Sequence, residues 1–114
     1  MNFNEWMLES EREAPTNKRE AYHCLLDYIL DVSERKDNDY SPQNINVCGR
    51  VGLVVRVCDK VMRLKSLIVD KREQRVNDES VEDTWFDLVN YGFIALLFAN
   101  KWWNLEWGSK PVNE

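Results

Sequence analysis

Prolines and glycines are scarce in this chain, and their positions leave long segments uninterrupted. Among 114 residues there are 3 prolines and 4 glycines. Both residue types interrupt helices, so their absence from most of the chain permits helices of several turns. Apolar residues in these segments recur at the spacing of one helix face. The sequence therefore predicts an all-α fold, a small bundle of three main helices preceded by a short N-terminal helix.

The first breaks set the expected limits of the two N-terminal helices. The short helix is expected between Asn4 and about Glu13, and Pro15 ends it. The second helix is expected between about Lys18 and Arg35, after a capping residue at Thr16 or Asn17. Segment 36–44, KDNDYSPQN, has the composition of a turn and separates this helix from the next.

The second half of the chain contains two longer helix candidates. One is expected from near Gly49 to about Val69. Its VGLVVRVC stretch is rich in β-branched residues, so a strand is the competing interpretation. Helix is preferred because DKVMRLKSL continues with long unbranched residues at helical spacing. The last helix is expected to begin at a capping Asp78 and to run to about Trp103.

Charge and cysteine content exclude several classes of function. The net charge of −5 argues against broad nucleic-acid binding, which needs a basic surface. Three cysteines and one histidine show no metal-ligand spacing, so reduced thiols in a cytoplasm are expected. We see no secretion signal, and the longest apolar run, FIALLFA, is too short to cross a membrane. One domain is expected over 1–114, with its core in 18–105 and a polar tail at 108–114.

The last helix combines acids with apolar residues, and its helical projection indicates which way the acids point. At about 100° per residue, Glu79, Asp83, Asp87 and Asn90 fall within an arc of about 80°. Ile94 continues this stripe, and the final turns are apolar on every side, which is typical of a buried helix. We therefore expect the acids to line a cleft between helices, where a cation must compensate them. A solvated acidic face is the alternative.

The third helix carries a basic face that matches this acidic stripe. Arg56, Lys60 and Arg63 lie within an arc of about 60°, with Asp59 beside them. Such a face opposite the acids is either an internal ion-pair network or a ligand site. In a ligand site the acids would hold Mg²⁺ and the bases would hold phosphates, since magnesium takes oxygen ligands from carboxylates and phosphates.

Two segments of the chain resemble a known family, the nucleotide modification associated domain of type 1. They are RVGLVVRVCDKVMRLKSL and DESVEDTWFDLVNYGFIALL. The family pattern is K-x-x-D-Y, then R-x-x-D-K-x-x-R-L, then D-E-S-x-x-D-T-x-x-D-L-x-N-Y. The matching residues here are Lys36, Asp39, Tyr40, Arg56, Asp59, Lys60, Arg63, Leu64, Asp78, Glu79, Ser80, Asp83, Thr84, Asp87, Leu88, Asn90 and Tyr91. The resemblance covers about Lys36 to Leu97.

This resemblance implies a helical, nucleotide-related protein of a family that is common in phages. The family looks distantly like the all-α nucleoside triphosphate pyrophosphatases of the MazG and dimeric dUTPase type. The implied activity is Mg²⁺-dependent hydrolysis of nucleoside triphosphates in nucleotide metabolism or DNA modification. The implied metal ligands are Asp59, Glu79, Asp83 and Asp87. The implied catalytic residues are Asp83, Asp87 and Lys60. The implied phosphate- and nucleotide-binding residues are Lys36, Asp39, Tyr40, Arg56, Lys60, Arg63, Asn90 and Tyr91.

Other interpretations of these residues stay open at the level of sequence. The protein would then bind a nucleotide without turnover, as an accessory or anti-defence protein, or be a structural helical module. Asn90 and Tyr91 also suit a buried hydrogen-bonded pair. The Trp-rich end, KWWNLEW, is interpreted as a hydrophobic clamp or subunit contact in preference to a base-stacking site. With 5 tryptophans in so small a chain, a homo-oligomer is expected.

Overall fold

The protein is all-α, as the sequence predicts. The computed structural model describes residues 2–40, 43–73 and 80–110. Four α-helices follow one another, and within these described ranges no strand occurs. Their bounds are α1 Phe3–Glu9, α2 Lys18–Tyr40, α3 Gln43–Leu64 and α4 Val81–Ala99, and a π-helical turn at Lys65–Val69 extends α3. The helix preferred for VGLVVRVC is therefore confirmed.

The second helix is longer than predicted. It continues to Tyr40, so the expected end at Arg35 and the turn predicted for 36–44 are wrong over the described part of that segment. Asn17 provides the predicted cap, because its side chain accepts a hydrogen bond from the backbone N–H of Glu20 at 2.9 Å. The extra turns are held by tertiary contacts. Lys36 Nζ lies 3.6 Å from Asp87 Oδ1 on α4. A contact between residues so far apart in sequence cannot be predicted from the residues near Lys36.

Two helices end earlier than predicted, and both end in the same backbone motif. After α1 the backbone N–H groups of Glu11 and Arg12 donate back to Leu8 and Met7. After α4 the same pattern joins Lys101 and Trp102 to Phe98 and Leu97. Glu11 and Lys101 are left-handed, with φ of 53° and 62°. This is the Schellman arrangement, which satisfies the last carbonyls and reverses the chain.

The start of α4 also differs from the prediction. Ser80 is the capping residue, and Asp78 and Glu79 lie outside the described residues. The Ser80 Oγ accepts from the backbone N–H of Asp83 at 3.1 Å, while Asp83 Oδ2 accepts from that of Ser80 at 3.0 Å. This reciprocal capping box satisfies two backbone donors that would otherwise lack a helical partner.

Gly49 lies inside α3, where the sequence places the start of the helix. Its φ of 63° and ψ of −165° are not helical and mark a kink between two helical pieces. This region of backbone conformation is essentially restricted to glycine. The expected helix start is therefore a bend six residues into a helix that begins at Gln43.

Two small apolar clusters hold the helices together. In the first, Trp6 of α1 and Tyr28 of α2 pack against Phe86 of α4, and the Tyr28 and Phe86 rings meet edge-on at 4.7 Å. In the second, Ile45 and Leu53 of α3 pack against Ile94 of α4. α4 contributes to both clusters and is the central element of the fold.

Helices α3 and α4 are antiparallel, and their facing sides are mixed polar and apolar. Leu53 contacts Ile94, and further along the pair Lys60 reaches Asp87. Among the described residues of the predicted acidic stripe, Asp87 therefore faces α3 and is 24% exposed. The expected burial of the last turns of α4 on every side is wrong, because Ile94 is 6% exposed but Leu96 is 61% exposed. Among the described residues, no helix is both long and apolar enough to span a membrane.

Candidate functional site

Asp87 is the centre of the charged contacts between the helices. Lys60 Nζ of α3 lies 2.9 Å from Asp87 Oδ2, and Lys36 Nζ of α2 lies 3.6 Å from Asp87 Oδ1. The side chains of Lys60 and Asp87 are 21% and 24% exposed. Three helices therefore converge on one carboxylate, which is accessible to solvent from one side.

One turn earlier, the side chains of α4 combine a capping role with a position at the surface of a cavity. Thr84 is fully buried; its hydroxyl donates to the Ser80 carbonyl and accepts from Arg63 Nε, both at 3.2 Å. Asp83 closes the capping box described above, and it also lines a cavity next to Asp87. The capping contact fixes the orientation of the Asp83 carboxylate.

This first cavity has a volume of about 470 Å³ and lies between α1, α2 and α4. Its lining residues are Asn2, Glu5, Tyr28, Ile29, Val32, Lys36, Ser80, Asp83, Phe86, Asp87 and Asn90. Three carboxylates face a single lysine there, so the cavity is acidic. The phenol of Tyr28 responds to this environment. Its pKa is raised above the ordinary value by burial, and further by the negative charges of Asp83, Glu82 and Asp87.

A second cavity, of about 530 Å³, lies on the other side of Lys36 and Asn90. Apolar side chains from α2 and α4 form its floor, and tryptophans from the C-terminal segment form a wall. Its lining residues are Leu26, Ile29, Leu30, Ser33, Lys36, Asp37, Asn44, Ile45, Arg56, Asn90, Tyr91, Phe93, Ile94, Leu97, Trp102, Trp103, Leu105, Glu106 and Trp107. Ile29, Lys36 and Asn90 line both cavities, so the two are adjacent.

The C-terminal segment folds back over the bundle through specific polar contacts. Trp107 Nε1 donates to Asp37 Oδ2 of α2 at 3.0 Å, and Asn46 Nδ2 of α3 donates to Asn104 Oδ1 at 2.8 Å. The Trp103 ring stacks on Phe98 at 5.6 Å. These contacts give the tryptophan wall a defined position.

The structure brings many of the predicted site residues together. Lys36, Asp83, Asp87 and Asn90 line the first cavity, and Arg56, Asn90 and Tyr91 line the second with Lys36. Lys60 contacts Asp87, and Arg63 contacts Thr84. The interface between α3 and α4 therefore contains a real ion pair, one of the two alternatives left open by the sequence.

Other predicted residues lie elsewhere. Asp39 and Asp59 are exposed and line neither cavity. Glu79 and the side chain of Tyr40 fall outside the described residues. Within the described part of the chain, no group of three or more histidine, cysteine or acidic side chains is arranged to hold a metal ion.

Some residues at these cavities were missed by the sequence interpretation. Tyr28 and Asp37 lie on α2, upstream of or between the motif positions, and no local pattern distinguishes them. Trp107 belongs to the Trp-rich end, which was interpreted as a clamp or subunit contact, and it lines the second cavity. Its position depends on the chain reversal at Lys101. Lys101 adopts a positive φ at a helix end where glycine is the usual residue.

Comparison with known families identifies the relationship of the chain. Residues 36–98 match the sequence model of the family described as nucleotide modification associated domain 1. The chain belongs to this family. The match contains both predicted charged faces and the last turns of α2, whereas α1 and the tryptophan wall lie outside it. Comparisons with curated proteins and with solved structures find no match.

Proposed function

We propose that this member of the nucleotide modification associated domain 1 family binds a nucleotide across the two adjacent cavities. The observation that carries the proposal is the convergence of Lys36, Asp83, Asp87 and Asn90 on one cavity, all from the family-matched segment. A charged cavity beside a largely apolar one suits a ligand with one polar end and one flat end. Pockets of roughly 300 to 1,000 Å³ are the usual size for small-ligand sites.

Magnesium is part of this proposal because the first cavity is acidic. Phosphates brought beside Asp83, Asp87 and Glu5 would be repelled unless a cation accompanied them. Magnesium is commonly held by one or two carboxylates together with substrate phosphates, and Asp83 and Asp87 supply two carboxylates on one helix face. The residues present therefore fit a metal that arrives with its nucleotide better than a preformed metal site.

The hydrolytic form of the proposal assigns roles to the same side chains. Bound Mg²⁺ would polarise a phosphate and promote attack by water, as expected of a nucleoside triphosphate pyrophosphohydrolase. Asp83 and Asp87 would orient the metal. Lys36 and Lys60, which sit on Asp87 without ligand, would turn toward phosphate oxygens and neutralise their charge.

The binding experiment uses deoxynucleoside triphosphates, including base-modified ones, with Mg²⁺ or with EDTA. We expect calorimetric binding and a rise in melting temperature only with Mg²⁺, since a ligand of the folded state stabilises it. Asp83→Asn should weaken binding about tenfold, a loss of about 1.4 kcal/mol. Asparagine still accepts the capping hydrogen bond, so the helix start is preserved while the charge is removed.

Glu82→Gln is the matched control, because it removes one negative charge from the same turn of α4 at an exposed residue that lines neither cavity. It should leave nucleotide affinity close to that of the unaltered protein. Equal binding with and without Mg²⁺, or no effect of Asp83→Asn, would contradict the proposed site.

Turnover is tested separately by pyrophosphate release. The hydrolytic form predicts release that requires Mg²⁺ and is lost in Asp83→Ala. Binding without release would instead identify a non-catalytic nucleotide-binding or accessory protein. Release that survives Asp83→Ala would place the chemistry elsewhere.

The exposed apolar surface supports a second copy of the chain as partner. Val51, Val54, Val55, Cys58 and Met62 lie within an arc of about 100° on the outer side of α3 and are all exposed. We name this surface the α3 stripe. Trp85 and Leu96 on the outer side of α4 are also exposed. Soluble monomers rarely leave continuous apolar patches of this extent in water, and most homo-oligomers are two-fold symmetric.

A further inference from the structure

The second cavity combines features that neither the family match nor the charged contacts explain. It is lined by Trp102, Trp103 and Trp107, which form the tryptophan wall and lie beyond the matched residues 36–98. This part of the site thus lies outside the segment that matches the family. Any selectivity it confers would be added to what the charged cavity provides.

The tryptophan wall is held in a defined orientation. Trp107 Nε1 is hydrogen-bonded to Asp37, and Trp103 is stacked on Phe98. Leu30 of α2 and Tyr91 of α4 line the same cavity. A flat ligand entering this cavity would meet aromatic side chains that are already positioned, which reduces the entropy lost on binding.

Polar groups that line the cavity are suited to the edge of a heterocyclic ring. Ser33 Oγ donates to Asn90 Oδ1 at 2.8 Å, which directs the Asn90 amine away from Ser33. Asn44 and Arg56 also line this cavity. Amides and guanidinium groups recognise ring nitrogens and carbonyls by hydrogen bonds, and this separates the cavity from a purely apolar docking groove.

The junction with the first cavity fixes the order of the ligand parts. Lys36 and Asn90 line both cavities, so a ligand in the second is close to the carboxylates of the first and to Lys36. We propose that the second cavity takes the nucleobase of the bound nucleotide, stacked against the tryptophan wall, with the phosphates in the first cavity. This inference rests on the proposed nucleotide binding and names the part of the site that reads the base.

The test separates the base from the phosphates by using three probes. They are the deoxynucleosides without metal, inorganic triphosphate with Mg²⁺, and the deoxynucleoside triphosphates with Mg²⁺. We expect deoxynucleosides to quench tryptophan fluorescence without Mg²⁺. Trp107→Leu should weaken nucleoside triphosphate binding about tenfold, within the range found for losing one base–aromatic stack, and leave inorganic triphosphate binding unchanged.

Trp85→Leu is the matched control, because Trp85 is a similarly exposed tryptophan on α4 that lines neither cavity. It should preserve the affinity for all three probes. Trp107→Phe provides a second variant that retains an aromatic ring and should retain most of the affinity. Retained melting temperature in these variants would show that the fold is intact.

The outcomes distinguish the two proposals. Nucleoside triphosphates that bind with unaltered affinity in Trp107→Leu would overturn the base assignment and leave the nucleotide site standing. Quenching by deoxynucleosides without any Mg²⁺-dependent gain from phosphates would support the base cavity and contradict the phosphate site. Loss of self-association in Trp107→Leu, with no quenching by deoxynucleosides, would show that a second copy fills the cavity and would overturn the inference.

Discussion

Asp87 shows how one side chain joins the charged faces of two helices. Sequence projection placed it in a cleft between helices that needs a compensating cation, and in the structure two lysines lie 2.9 and 3.6 Å from its carboxylate. Because the carboxylate stays partly exposed beside the first cavity, its lysines are available to a competing anion at modest cost. Separating a fully buried ion pair would cost far more free energy.

Tyr28 gives the acidic cavity a measurable pH dependence. Its pKa is raised by burial and then by Asp83, Glu82 and Asp87. A phenol that holds its proton more tightly when folded stabilises the protein below its ordinary pKa of 10.0, and this stabilisation is lost as pH rises through the higher folded value. Urea denaturation on both sides of pH 10.0 should therefore show a steeper alkaline loss of stability for the unaltered protein than for Tyr28→Phe.

Tyr22→Phe is the control for this comparison, because it removes an exposed hydroxyl from the same helix. The loss of folding stability of Tyr22→Phe with rising pH should match that of the unaltered protein. If Tyr28→Phe also leaves this pH dependence unaltered, neither burial nor the neighbouring carboxylates raise the pKa of Tyr28 in the folded protein.

At the scale of elements, the helices were easier to predict than their ends. Composition and periodicity indicated four helices, and four are present among the described residues. The end of α2 was wrong because Lys36 and Asp37 gain partners from α4 and the C-terminal segment. The start of α3 was wrong because Gly49 bends a helix that its flanking residues continue. Local propensity contains no information on such distant contacts.

Two glycines provide a test of the kink that is free of packing effects. A Cβ added at Gly49 or at Gly92 would meet no atom within 4 Å. Gly49→Ala should cost about 1 to 3 kcal/mol, because only its backbone conformation is unfavourable to alanine. Gly92→Ala, within α4, should instead gain about 0.5 to 1 kcal/mol.

Both free energies of unfolding are measurable by urea denaturation. A loss of stability in Gly49→Ala together with a gain in Gly92→Ala would show that Gly49 has a positive φ and that Gly92 is in regular helix. A neutral Gly49→Ala would mean that α3 is straight in solution.

At the scale of the whole molecule, the distribution of apolar surface departs from that of a compact monomer. The radius of gyration is 15.6 Å, compared with about 13 Å expected for a compact domain of this length. The α3 stripe faces outward while Lys60 and Arg63 of the same helix face α4. In most soluble proteins the apolar side of a helix faces inward and the charged side faces solvent. The opposite arrangement of α3 is explained if a second copy of the chain covers the α3 stripe.

Val54→Glu tests this arrangement at the centre of the α3 stripe. Val54 is 62% exposed in one chain, so a monomer would tolerate the charge, whereas a dimer would bury it at high cost. We expect sedimentation or light scattering to show a dimer that dissociates in Val54→Glu. Leu8→Glu, at an 80% exposed leucine on α1, should leave the mass unchanged.

Thiol labelling supplies an independent readout. Cys48 and Cys58 are both exposed in one chain, but only Cys58 belongs to the α3 stripe. Cys58 should be protected at high protein concentration and become reactive in Val54→Glu, with Cys48 reactive throughout. A monomer at all concentrations, with Cys58 always reactive, would exclude the second copy.

The sequence by itself determined the helical class, the family and the position of Asp87 on the side of α4 that meets α3, because periodicity and residue order along one helix contain that information. Only the tertiary structure decided which groups meet. It paired Asp87 with lysines from two other helices, gave Asp83 its capping contact, and brought Trp107 to Asp37 across most of the chain. These contacts join residues far apart in sequence, and their free energies depend on distances that no local pattern specifies.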